Sequence, residues 1–252
     1  MRPQAWALML VHLLLIAFAL LAPSLVQAQS LSIDLGAAGQ AGATSRLVQL
    51  TALITGLSLA PSLLVMVTSF TRIVIVLSLL RSGIGAQGTP PNAVLVGLAL
   101  FLSLFVMQPT FEHAWHDGVL PMSEGRVSEL DGLKLAAAPF QRFMARNVRG
   151  GDLQLFQDLA GLPPAESPEQ ASWRALVPAF MIGEMRRAFE MGFLLYLPFL
   201  VIDLVVGSVL MSLGMMMLPP NAVSLPFKLI FFVLVDGWRL VCGSLVQGFV
   251  PS

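Results

Sequence analysis

Pro90-Pro91-Asn92-Ala93-Val94 recurs further along the chain as Pro219-Pro220-Asn221-Ala222-Val223. Each copy joins one apolar segment to the next, and a glycine, Gly85 or Gly214, stands five residues before the first proline. Proline at the first turn of a helix costs little, because the N–H it lacks would be unpaired there anyway. Each PPNAV therefore ends one helix and starts the next. Pro90 and Pro91 mark one hairpin turn, Pro219 and Pro220 the other. The chain reads as two helical hairpins, residues 47–111 and 188–252, separated by residues 112–187.

Composition places these hairpins at a membrane. Of 252 residues, 56% are hydrophobic and 11% charged, whereas soluble domains carry roughly a quarter charged residues. The mean hydropathy is +0.82. The expected class is all-α and membrane-associated, with four apolar helical segments kinked at prolines such as Pro61 and Pro198. Residues 112–174 differ in kind, holding 15 of the 28 formal charges. Leu153, Phe156 and Leu159 follow helical spacing there, and the proline-rich run from Leu162 to Pro168 breaks it. This region reads as a small helical domain on the periplasmic side. A net charge of zero gives no hint of a nucleic-acid partner. The lone Cys242 cannot form an internal disulfide and packs as a small hydrophobe.

The N-terminus reads as a signal peptide, residues 1–28: Arg2, an apolar run from Ala5 to Ala22, then Val26-Gln27-Ala28 as the cleavage site, with an uncleaved anchor as the alternative because the apolar run is long. Residues 29–46 form a loose periplasmic lead-in. Two crossings per hairpin then put both PPNAV turns on the cytoplasmic side. The positive-inside rule supports this poorly, because Arg186 and Arg187 lie on the opposite side.

Charges inside the apolar segments call for partners, since an unpaired charge at mid-bilayer is expensive. Counting ~1.5 Å of rise per residue from each proline turn puts Asp203 at about 24 Å, Asp236 at about 25 Å and Arg239 at about 30 Å. Arg72 falls about 27 Å from the first turn. These four are expected to form one buried charge layer. Lys228 sits only about 13 Å from its turn, and no acid of the same chain shares that level. Its partner is expected in another subunit, in a carbonyl or in channel water.

Met211, Met215, Met216 and Met217 cluster at the second turn. Methionine is flexible and fills irregular gaps, so the run reads as core filler in one chain. In a ring of subunits it becomes a soft collar able to block ions by dewetting. Two other readings compete. A proton-coupled secondary transporter would use the repeat and the intramembrane charges. It lacks glycine-broken half-helices, and the double proline stands at a turn. A metalloenzyme would use His113 and His116, which stand at i, i+3; no third ligand cluster accompanies them.

Several motifs carry a family resemblance. They are Thr68-Ser-Phe-Thr-Arg-Ile73; Pro178-Ala-Phe180 with Glu184, Ala188-Phe189 and Gly192-Phe193; Gly214-Met-Met-Met217; and Pro226-Phe-Lys228 with Asp236-Gly-Trp238. They resemble the FliP family of flagellar export-gate proteins, related to the SctR-type proteins of virulence type III secretion. The resemblance runs from residue 47 to residue 249. Gly183 departs from the hydroxyl residue that the family carries before this glutamate. The resemblance implies a homo-oligomer that joins FliQ and FliR in a helical, cone-like core of the export apparatus, beside its other membrane proteins. That core sits in the bacterial inner membrane at the flagellar basal body and passes unfolded flagellar proteins. Met215, Met216 and Met217 would seal the channel, and Glu184 and Phe189 would lie in a region of subunit contacts. No cofactor, metal or catalysed reaction is implied.

Overall fold

The computed structural model describes residues 65–86, 88–215 and 218–249, with residues 48, 51, 54–56, 58 and 62 before them. The signal peptide, the lead-in, Pro61, Met216 and Met217 lie outside the described residues. The chain divides into two units, Met1–Leu57 and Ser58–Ser252. In the first, residues 48, 51 and 54–56 are helical and exposed. The second carries both PPNAV turns. Among the described residues every regular element is helical and none is a strand, as the apolar periodicity predicts.

The repeat is structural as well as sequential. Helix α1, Phe70–Ile84, ends on Gly85 at φ +76°, whose N–H reaches back to the Arg81 carbonyl. Helix α2, Asn92–Ala114, starts directly after Pro91. In the second copy, Gly214 has φ +70°, and α7, Pro220–Leu234, starts with Pro220 in its first turn and Pro219 as cap. Both glycines occupy the left-handed region, where a Cβ would be penalised. Arg81 fastens the first turn by donating to the Asn92 side-chain oxygen and to the Pro90 carbonyl.

The charged region folds as helices. Past Pro109, α2 continues into a π-helical turn, Trp115–Val119, and the short α3, Leu120–Ser123. Helix α4, Glu129–Asn147, is capped by Ser128, whose hydroxyl accepts from the Asp131 N–H. Helix α5, Gly150–Leu159, is the one expected from Leu153, Phe156 and Leu159. The proline-rich stretch after it carries no helix until a 3-10 turn at Pro168–Gln170.

Helix α6, Trp173–Ser212, is a single 40-residue helix, about 60 Å long at 1.5 Å per residue. It runs unbroken through Pro178, Pro198 and the 187/188 boundary drawn from composition. Two cores share it. Its first half joins Leu176, Ala179 and Phe180 to Met144 and Leu153 of α4 and α5. Further along, Ala188 and Phe199 join it to Ile73, Val76, Leu77 and Leu80 of α1. The α1–α6 approach is close at Gly192, where a Cβ would lie 2.3 Å from the Leu79 Cδ1. Small residues allow such approaches between apolar helices.

The last apolar segment is broken. Helices α7 and α8, Gly237–Gln247, meet at 62°. The break falls at Asp236, the one non-glycine residue with positive φ (+50°) among those described. Gly237 is required there, because a Cβ would strike the Phe232 ring at 2.2 Å. By length and composition alone, the continuous run 92–123 and α6 can each cross a membrane, and α7 with α8 is a third candidate if counted as one span.

Candidate functional site

Two buried ion pairs brace the helices. Arg72 on α1 and Glu184 on α6 are 2% and 0% exposed. The guanidinium meets the carboxylate as a fork, with Nε to Oε2 at 2.7 Å and Nη2 to Oε1 at 2.5 Å. Its third nitrogen, Nη1, donates to the Gly248 carbonyl at 3.1 Å, and its carbon lies 3.6 Å from the centroid of the Phe249 ring. Arg72 therefore ties α1 to α6 and to the residues after α8. Two parallel charge-assisted bonds, a carbonyl and an aromatic face replace the water that the guanidinium loses.

The second pair is Lys228 on α7 and Asp203 on α6, with Nζ to Oδ2 at 2.6 Å. Lys228 also donates to the Gly83 carbonyl at 3.1 Å, and the Ser224 hydroxyl donates to the other Asp203 oxygen at 2.6 Å. Gly83 lies in the last turn of α1, whose carbonyls have no partner within the helix. A cation there also meets the negative end of the helix dipole. One ammonium thus joins three helices.

These contacts correct the expected charge layer. Arg72 and Asp203 take other partners, and of the four only Asp236 and Arg239 meet within the chain, as an exposed pair. Asp236 caps α8, and Arg239 is 87% exposed, 3.9 Å from Asp236. The height count failed for two physical reasons. Helix α6 ends at Ser212, so residues 213–218 add turn and not rise. Asp203 is then about 13 Å and Lys228 about 12 Å from their own helix ends, which is one level. At Asp236 the 62° break ends the straight rise. Lys228 therefore has an acid in its own chain, contrary to expectation. Glu184, expected in a region of subunit contacts, is buried and engaged by Arg72 in its own chain.

The remaining sites lie on the surface. Phe189 is exposed on α6. Met211 is 64% and Met215 43% exposed, so neither fills a core within one chain. The turn that carries them is held by local backbone bonds, from Gly214 N–H to Met211 and from Met215 N–H to Leu210. Pro90, Pro91, Pro219 and Pro220 all stand at the two hairpin turns. His113 pairs with Asp117 at 3.6 Å in an exposed position. Among the described residues, no group of three His, Cys, Asp or Glu side chains is placed to hold a metal.

Much apolar surface has no partner in the chain. Phe101, Phe105, Phe193, Leu204, Phe227 and Val233 are large, apolar and exposed. Patches of this extent mark membrane or protein contact. Residues 53–245 match a family model described as the FliP family. The chain is 55% identical to the flagellar biosynthetic protein FliP of Caulobacter vibrioides over 228 residues, 90% of this chain and 85% of that protein. The protein of that name from Agrobacterium fabrum is 47% identical over 244 residues, 96% of this chain and all of its own length. The one from Bacillus subtilis is 47% identical over 205 residues, 81% of this chain and 93% of that protein.

Proposed function

The chain belongs to the FliP family and is a membrane-associated component of flagellar protein export, and from that membership we propose that it is a core, channel-forming subunit of the type III export gate. In this reading several copies gather about one axis with FliQ and FliR, in the inner membrane at the base of the flagellum. The helices 112–187 contribute the periplasmic part. Unfolded flagellar proteins pass along the axis.

The family match over residues 53–245 carries the proposal. The surface supports it: Phe189, Phe193, Met211 and Met215 are exposed in one chain, and neighbouring subunits would cover them. The ion pairs support it in another way. They consume Arg72, Glu184, Asp203 and Lys228 within the chain, which gives a rigid building block. Met211, Met215, Met216 and Met217 would then form the seal. Thioethers adapt to many side chains, and an apolar constriction excludes ions by dewetting.

Two measurements test this. The tagged full-length chain, produced with FliQ and FliR in a flagellated host lacking its own FliP-family protein, is expected to purify with both as a large particle and to restore swimming. A solitary chain at normal abundance, with no swimming, would refute the assembly role. Replacing Met215, Met216 and Met217 together by Ala is expected to raise ion leakage across the membrane. A tight triple variant that still exports would remove the methionine seal and leave the assembly role standing.

A further inference from the structure

A cavity of about 780 Å³ lies between α2, α4, α6 and the residues after α8. Arg142, Arg146, Arg187, Thr110, His113 and Asn147 give it a cationic, polar wall. Arg142 and Arg146 stand one turn apart on α4 and are exposed. Among the described residues neither has an ion pair or hydrogen bond. Arg187 reaches only Glu184, at 3.5 Å, and that carboxylate is already held by Arg72. His113 has Asp117. Like charges one turn apart repel, and among the described residues that line the cavity none is an acid to balance the three guanidiniums. A phosphate fits their geometry, because the guanidinium fork matches its oxygens.

Pro109, Phe143 and Phe249 add apolar surface to the same lining. It continues along α2. Phe101, Phe105, Pro109 and His113 recur every four residues and so share one face. Pro109 and His113 line the cavity, while Phe101 and Phe105 are exposed nearer the turn. Pro109 follows Asn92 by 17 residues (109 − 92), about 26 Å of rise. That approaches the ~30 Å of a hydrocarbon core. With α2 crossing from its turn, the guanidiniums reach headgroup level in the far leaflet and the phenylalanines lie among acyl chains.

We propose that this cavity binds the phosphate of an anionic phospholipid whose acyl chains lie along the Phe101–Phe105 face. The site needs only this cavity and one crossing helix, so it stands or falls apart from the export reading. Native mass spectrometry of the purified full-length chain tests it, with phosphatidylglycerol, phosphatidylcholine of the same acyl chains, or inorganic phosphate added. Phosphatidylglycerol is expected to bind about tenfold more tightly than phosphatidylcholine, as each arginine near a headgroup favours anionic lipid. Arg142→Gln with Arg146→Gln is expected to remove that preference, while Phe101→Ala with Phe105→Ala weakens both lipids alike. The comparison of the two lipids on the unaltered chain does not depend on any variant folding. Equal binding of the two lipids would overturn the proposal. So would a preference that survives loss of both arginines, or inorganic phosphate binding as tightly as the lipid. An arginine–carboxylate pair to a partner subunit in the assembled particle would overturn it too.

Discussion

Glu184→Gln is expected to be among the most damaging conservative changes in this protein. Glu184 is fully buried and accepts two short bonds from Arg72, at 2.7 and 2.5 Å. Glutamine keeps the shape and one acceptor, but it turns an NH2 group toward the guanidinium. One charge-assisted bond is lost, worth roughly 1.5–3 kcal/mol. The guanidinium, 2% exposed, also loses its counter-charge, and removing one partner of a buried pair costs about 3–5 kcal/mol in all. Gly248 and Phe249 still hold Arg72, which argues for the lower half of that range. Arg72→Met is expected to cost a similar amount, because it strands the carboxylate and uncovers the Phe249 ring, with Arg187 at 3.5 Å only partly compensating.

The double variant Arg72→Met/Glu184→Leu separates pairing from packing. Buried pairs replaced by apolar residues of similar volume are often neutral. Here the Gly248 carbonyl loses a donor, at about 1 kcal/mol. The double change is therefore expected to cost about 1–2 kcal/mol, far less than the sum of the single changes. Unfolding in mixed micelles titrated with SDS, followed by tryptophan fluorescence, reads all three variants. Single variants within about 1 kcal/mol of the parent, or a double variant equal to the sum, would show that the fork does not hold α1 to α6.

Asp203→Asn is expected to cost more than Lys228→Met, because it leaves an ammonium 6% exposed, whereas the carboxylate is 25% exposed and keeps the Ser224 hydroxyl; the same titration checks the order, and the reverse order would contradict it. Gly237→Ala is expected to destabilise by about 1–3 kcal/mol through overpacking, since its Cβ falls on the Phe232 ring that stands edge-on to Trp238. Tryptophan emission at the elbow should shift with it, and an unchanged spectrum and stability would show that the ring moves freely. Gly183→Ser is expected to stabilise. Asp152 Oδ2 is the buried side-chain oxygen without a partner among the described residues, and a Cβ at Gly183 would lie 3.6 Å from it, within reach of a hydroxyl. Serine should exceed alanine there despite its lower helix propensity; alanine equal or better would exclude the bond.

The turns were legible because their signals are local. A double proline preceded by a glycine that needs positive φ specifies chain reversal with no knowledge of neighbours, and Gly85 and Gly214 both adopt it. The helix over Gly150–Leu159 was legible from spacing for the same reason. The ion pairs were not, because they depend on where helices stop. Composition changes near residue 187, but α6 does not, and a boundary drawn there left Glu184 out of the apolar segments whose charges were matched with Arg72. A signal was present: Glu184, Ala188 and Gly192 recur every four residues and are all buried. That spacing marks the face turned toward α1. Likewise, the six residues between Ser212 and Pro219 look apolar enough to be helix, and treating them as rise misplaced Asp203 by nearly two turns.

In the export gate proposed above, the placement of the pairs limits which part of the subunit could open. Lys228 and Asp203 lock α7 to α6 about 12–13 Å from the helix ends, and the same ammonium holds the last turn of α1 through the Gly83 carbonyl. Arg72 and Glu184 lock α1 to α6 further along. Both locks lie away from the second turn, where the bonds from Gly214 and Met215 are backbone bonds to residues three and five positions back. Among the described residues, displacing that turn would break a few backbone hydrogen bonds, each worth roughly 1 kcal/mol, and would uncover no buried charge. Displacing α7 as a whole would strand Lys228, at several times that cost. Any widening of the proposed gate near Met211 and Met215 would therefore be confined to the turn by the energetics of the chain itself. Cross-linking α6 to α7 at the Asp203–Lys228 level should leave export intact. A gate that needs the whole hairpin to swing would be blocked by the same cross-link.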